Sequence, residues 1–168
     1  ISYGIGYVPE DRKNQGLFLE MSVQENIVAG RFSGNKAIST QEQQQIAIQF
    51  KEDLRIQTPN ISQKVRLLSG GNQQKCVLAR WLHLNPRLLI VDEPTHGVDV
   101  GAKFEIYELL KKMALTGTGI LLISSELPEV LALADRILVV YHGKIVGELS
   151  RNEATEEGIL ALASGEMV

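Results

Sequence analysis

The chain has 168 residues, 44% of them hydrophobic and 22% charged. That balance is ordinary for a globular domain and excludes intrinsic disorder as a description of the whole. Its 17 basic and 20 acidic side chains give a formal net charge of −3, without the basic block that clamps a nucleic acid, and its lone cysteine, Cys76, excludes an internal disulfide and a thiol-rich metal site.

At this length one domain with a lobe is expected, burying about 70% of its unfolded surface. No apolar run nears the roughly 18 residues of a membrane helix, and no basic start followed by an apolar run marks a leader. The first residue is Ile1, not Met, inside what reads as a strand, so a piece of a larger protein is expected. Residues 3–9 alternate Gly with Ile, Tyr and Val and stop at Pro9, which predicts a short buried strand. Residues 10–16 are polar and close in glycine, which predicts a loop. Ser22 with Glu25 three positions on is a capping box, so a helix starts there. Gly30, Gly34 and Ser39 punctuate the next stretch. A helix is predicted from Thr40 to Leu54, with Ile46, Phe50 and Leu54 as its apolar stripe and its glutamines on a solvated face. Thr58-Pro59-Asn60 breaks the chain. Ser69 opens a helix through about His83, stopped by Asn85-Pro86.

From there strands and helices alternate: strand 88–91, helix 101–115, strand 119–124, helix 127–133 and strand 137–141. This pattern predicts βαβ units and an α/β fold with a mainly parallel sheet. Tyr141-His142-Gly143-Lys144 reads as a tight turn into a last strand, 145–149, and residues 155–164 as a terminal helix. No repeat of fixed period is present.

Two segments carry chemistry. Leu88-Leu89-Ile90-Val91-Asp92-Glu93 is an apolar run that suits a strand buried on both faces, with two carboxylates at its C-terminal end. Open α/β sheets place ligands at that end. Beside a bound nucleotide, Asp92 would hold Mg²⁺ through water and Glu93 would orient and polarise the attacking water. A plain strand leading into an acidic helix start is the other reading. The second segment is Leu68-Ser69-Gly70-Gly71-Asn72-Gln73-Gln74-Lys75. Two glycines in a first helical turn bare backbone N–H groups at the positive helix end, an anion cradle to which Ser69 adds a hydroxyl. A simple serine cap with glycines behind it is the alternative.

Together these segments resemble the ATP-binding cassette (ABC) ATPases. Ser69-Gly70-Gly71 with its Gln-rich tail is similar to their signature motif, residues 89–93 to their Walker B strand, and His96-Gly97-Val98-Asp99 to the D-loop. Gly6-Tyr7-Val8-Pro9-Glu10-Asp11-Arg12-Lys13 resembles the Q-loop region, and Ile123-Ser124-Ser125-Glu126-Leu127 sits where the switch-histidine loop belongs. The match covers residues 3 to about 149. Residues 9–13 and 68–75 look like the second cassette of the tandem ATPase subunits that energise bacterial monosaccharide importers of the ribose, galactose and xylose type.

The resemblance implies a P-loop NTPase-like sheet with an inserted helical lobe. It implies the divisions 1–21 (Q-loop strand and loop), 22–66 (lobe), 67–150 (signature, Walker B, D-loop and switch-loop core) and 151–168 (C-terminal helix). The implied cofactors are ATP and Mg²⁺. Glu93 is the implied catalytic residue, and Asp92 and Glu10 the metal ligands. Nucleotide contacts fall to Ser69, Gly70, Gly71, Asn72, Gln73, Asp99 and Ser125. The implied partners are a second cassette, a transmembrane sugar permease and, indirectly, a periplasmic sugar-binding protein, with no nucleic acid. The implied place is the cytoplasmic face of the bacterial inner membrane.

Departures from the pattern matter as well. No Gly-x-x-x-x-Gly-Lys-[Ser/Thr] phosphate loop occurs in the chain. The phosphate-loop strand and helix are therefore expected to be absent, leaving nucleotide almost no site on this chain alone. Glu10 stands where the resemblance calls for glutamine, and Ser125 where it calls for histidine. Both changes point to a degenerate cassette whose signature motif serves the partner's site. A non-transport ABC ATPase and a non-catalytic dimerisation or docking module are the competing functions.

Overall fold

The computed structural model describes residues 3–30 and 39–166. The predicted break at Gly34 lies outside the described residues. The chain divides into two compact units, Ile1–Ile123 and Ser124–Val168.

The first unit is built on a three-stranded parallel sheet, ordered β1 (Ile5–Val8), β2 (Leu88–Asp92), β3 (Gly119–Ile123). Ile5 pairs with Leu88 and Leu88 with Gly119, while Asp92 reaches Ile123. The strand period of two sorts the side chains. Val8, Leu89 and Val91 face the core and are fully buried. Ile5, Tyr7, Leu121 and Ile123 share the opposite face and stay 45–48% exposed.

Helix α1 (Val23–Val28) starts on the expected capping box. Ser22 Oγ accepts from the Glu25 N–H at 3.2 Å, and Glu25 Oε2 accepts from the Ser22 N–H at 2.7 Å. Residues 21–24 run beside residues 61–65, with Val23 N–H donating to Gln63 and Val65 N–H to Met21. Helix α2 (Thr40–Asp53) is capped by Ser39. Its buried residue is Ala47, while Ile46 and Phe50 of the expected stripe are half-buried and Leu54 is buried just past the helix.

Helix α3 (Gly70–Leu84) is the spine of the unit. An unbroken run from Gln73 to Ala79 is buried, because α3 packs on α1, β1 and α4 (Val100–Leu115) at once. Gly6 makes its strand contact possible: a Cβ there would lie 2.7 Å from the Trp81 ring and 2.8 Å from Leu89. Asn85 ends the helix in a left-handed conformation, φ 49°.

Residues 10–16 are not the plain loop their polarity predicts. Arg12–Gly16 forms a π-helical turn, capped by Asp11, whose carboxylate accepts from the Asn14 backbone and side chain. Those bonds hold the Asp11 carboxyl below its usual range. The polar run hides an inward anchor, Arg12, which is buried.

The second unit is a β-hairpin flanked by two helices: α5 (Leu127–Leu133), β4 (Arg136–Tyr141), β5 (Lys144–Ser150) and α6 (Glu156–Ser164). β4 and β5 pair antiparallel, with a register shift at Val139/Val140. The predicted tight turn is present. His142 and Gly143 both have positive φ, 46° and 76°, which matches the right-handed twist of a two-residue hairpin. Ile137, Val139 and Ile159 form a small core under Leu127, Val130, Leu149 and Leu162. Gly147 lets α6 close over the hairpin, since a Cβ there would lie 2.6 Å from Leu162.

Candidate functional site

Strand β2 delivers Asp92 to its C-terminal end, and the backbone then turns sharply. Glu93 adopts φ 44°, a left-handed conformation that a residue with a Cβ adopts only when its surroundings enforce it. Here its N–H donates to Ile123 O at 2.9 Å and its carbonyl accepts from His96 N–H at 3.1 Å. The turn continues through buried Thr95 and Val98 to Asp99. Asp99 caps α4, its carboxylate accepting from the Ala102 N–H at 3.0 Å.

Beside the end of β2, the Tyr7 hydroxyl donates to Asp92 Oδ2 at 2.9 Å. That bond, with the Asp92 charge behind it, raises the phenol above its ordinary range. Glu10 lies close by, its carboxylate 3.4 Å from His96 Nδ1. Arg12 reaches the same segment from the other side. Nη1 donates to His96 O at 2.6 Å and Nη2 to Gly97 O at 3.1 Å.

The first turn of α3 abuts this segment. A Cβ on Gly70 would lie 2.6 Å from Gly97 O and 2.7 Å from Arg12 Nη2, and one on Gly71 would lie 2.6 Å from Ala102 Cβ. Both glycines are therefore needed for close approach. Ser69 does not cap the helix with its side chain; its Oγ accepts from Asn72 Nδ2 at 2.9 Å. Asn72 Oδ1 in turn accepts from the Gln57 N–H at 2.7 Å. Gln73 is turned inward and buried, donating to Val65 O at 3.3 Å. A cavity of about 320 Å³ opens beside this turn, with Arg12, Lys13 and Arg66 on its walls.

The structure thus brings Gly70 against Gly97 and Gly71 toward Asp99, and places Asp92 with Tyr7 and Glu10 with His96. Ser125 belongs to the second unit, exposed just before α5. Within the family-like run 6–13, no local pattern marks Tyr7 as a donor to this site. The polar run 10–13 was the available signal for Arg12, but its bonds span 84 and 85 positions.

The donor set can be tested against Mg²⁺. Mg²⁺ keeps most of its waters and takes one or two carboxylates plus phosphate oxygens. Among the described residues no three His, Cys, Asp or Glu side chains gather into a metal cage. Asp92 at a strand end fits an ion carried in on phosphates, which needs no such cage.

The family model described as ABC transporter matches residues 1–96. A "putative ribose/galactose/methyl galactoside import ATP-binding protein" of Geobacillus kaustophilus is 46% identical over all of this chain and 34% of its own length. A "xylose import ATP-binding protein" of Moorella thermoacetica is 50% identical over 98% of this chain and 33% of its own. The chain spans about a third of the length of such relatives. Among solved structures, the dimeric bacterial ABC transporter cassette MJ0796 superposes with a TM-score of 0.75 at 25% identity, over 88% of this chain and 62% of that one. The same cassette is described in a post-hydrolysis state bound to ADP and Pi. The fold is therefore that of an ABC ATPase cassette, P-loop NTPase-like and mixed α/β.

Proposed function

The chain belongs to the ABC transporter family, and on that premise we propose that it is part of the ATP-hydrolysing subunit of a bacterial sugar importer. That subunit couples ATP binding and hydrolysis to carbohydrate uptake through a membrane permease, from the cytoplasmic face of the inner membrane. The named relatives support the sugar class. The observation that carries the reading is the contact of the Ser69–Gly70–Gly71 turn with Gly97, which sets an uncapped helix end beside the carboxylate-bearing loop.

Within this reading ATP, when bound, supplies the phosphoryl group, with Mg²⁺ as its counter-ion. Asp92 would hold that ion, and the Tyr7 hydroxyl fixes the orientation of its carboxylate. Glu93 holds the water-polarising position. Ser69 and the first-turn amides of α3 offer anion donors to a nucleotide held by a second cassette, as the positive end of a helix does. Asn72, Gln73 and Asp99 support that surface, and Ser125 stands on the loop before α5. Glu10 carries charge toward phosphate where a neutral amide would not, and Ser125 has no cationic or long side chain. This half is therefore a weak hydrolytic site of its own and works for its partner. The lobe, residues 22–66, docks the permease, and a periplasmic sugar-binding protein acts through that permease.

ATPase measurements on the complete subunit test the division of labour. Ser69→Ala should lower turnover by about 10²–10³, the usual effect of removing an oriented anion donor. Glu93→Gln should cost less. Abolished turnover in Glu93→Gln with unchanged turnover in Ser69→Ala would overturn the reading.

A further inference from the structure

Arg12 is a buried cation of the first unit that the proposed reaction does not use. It lies in the polar run 10–13, yet it is only 8% exposed. Its guanidinium spans two successive carbonyls, His96 O at 2.6 Å and Gly97 O at 3.1 Å. The same Nη2 lies so close to Gly70 that a single added carbon there would meet it at 2.7 Å and Gly97 O at 2.6 Å. Three segments that are distant in sequence therefore meet at one side chain: the π-helical turn, the loop after β2 and the first turn of α3.

Geometry explains why the residue is arginine. The guanidinium is planar and offers several N–H donors in a fixed fork, so it can satisfy two carbonyls of one backbone turn together. A lysine ammonium is a point charge on a flexible stem and lacks that fork. Gly97 has φ 65°, a conformation that costs glycine little and leaves many others open to it, so the two bonds from Arg12 restrict the turn.

We infer that Arg12 is a positioning residue that locks the loop of His96 and Gly97 to the first turn of α3, so that the D-loop-like segment and the signature-like motif shift as one body. This rests on the proposed ATPase reading for its consequence and on the three contacts alone for the coupling. A displacement of one segment, from whichever side the nucleotide or second cassette presses, is passed to the other through the guanidinium. Its two carbonyl acceptors belong to His96 and Gly97, so Arg12 acts through the placement of donors.

Two measurements on the complete subunit separate the claims. In hydrogen–deuterium exchange, Arg12→Gln should speed exchange in peptides covering residues 94–99 and 69–74 together, and leave 119–123 unchanged. Acceleration of one segment without the other, or of neither, would overturn the coupling. Arg12→Lys keeps the charge and the stem should Arg12→Gln fail to fold. It should show the same paired acceleration, reduced in size, and an unpaired response overturns the coupling equally. In ATPase assays both variants should lower kcat by about 10², the scale set by a small misplacement of reacting groups, with KM for MgATP within about threefold, because the nucleotide's main contacts lie elsewhere in this reading. Wild-type kcat in Arg12→Gln, or full rescue by Arg12→Lys, would overturn the positioning role. A wild-type subunit with no ATPase would instead overturn the proposed function, and exchange would still decide the coupling.

Discussion

Cys76 sits in α3 with no exposure, and burial pushes its thiol up to about 12. The thiolate is the reactive form, with an ordinary pKa near 8.5 in an unfolded chain. Iodoacetamide at pH 8 should therefore leave the folded protein unlabelled and modify it stoichiometrically in urea. Rapid labelling without denaturant would show that α3 opens at this position. The neighbouring site residues differ in how far they could be read beforehand. Asp92 and Glu93 announce themselves by following four apolar residues in a row. The donors to the site's carboxylate and carbonyls, Tyr7 and Arg12, do not, because their acceptors lie 84 or 85 positions away and only the fold joins them. A polar residue in a polar run gives no sign that it points inward.

Helix α1 depends on its cap. The two bonds from Ser22 hold the Glu25 carboxyl below its usual range. A carboxyl whose folded pKa is depressed contributes fully above the unfolded value of about 4.3 and loses that contribution as pH falls through the folded value. Ser22→Ala should cost about 1 kcal/mol at neutral pH, and the gap to wild type should narrow in urea melts below about pH 4. Helix α3 carries a different liability. Lys75 is 4% exposed at its side chain, 2.5 Å from Glu105 on α4 and 3.1 Å from Arg55 O beyond α2. Its partner is 47% exposed and can turn to water. Glu105→Ala strands a buried ammonium and should cost about 3 kcal/mol. Lys75→Met leaves only an exposed carboxylate and should cost less; the reverse order in urea midpoints would show that the ammonium reaches solvent. The cap of α1 was legible because Ser22 and Glu25 act within three residues. The buried contact of α2 was not, because Ala47 is too small to register in an apolar stripe and matters only where another helix comes close.

At the scale of the whole molecule, the parallel pairing of residues 88–91 with 119–123 was legible from apolar runs separated by a helix, and β2 and β3 pair so. Strand β4 instead takes its hairpin neighbour β5, the pairing that the tight turn at residues 141–144 makes legible. A two-residue turn makes that antiparallel partner local, whereas a parallel one needs a crossover. The first unit also presents Ile5, Tyr7, Leu121 and Ile123 on one exposed sheet face, and such faces drive association. The 168-residue chain by itself should therefore self-associate or melt at low temperature, and Leu121→Lys should shift it toward monomer in size-exclusion chromatography with light scattering. A wild-type monomer with a high, cooperative melting transition would show that this face is tolerated in water.

The pairing of Ile5 with Leu88 also sets an order of events during synthesis. At roughly 5–20 residues per second, a ribosome needs about 4–16 seconds to make the intervening chain. Throughout that interval the β1 segment, with its Ile, Tyr and Val side chains, is out in the cell before its partner strand exists. Residues 136–150, by contrast, are made with their partner adjoining, and a hairpin closes in about 1–10 μs. Strand β1 must thus be kept from other company for seconds, whereas the hairpin strand β4 needs no waiting at all.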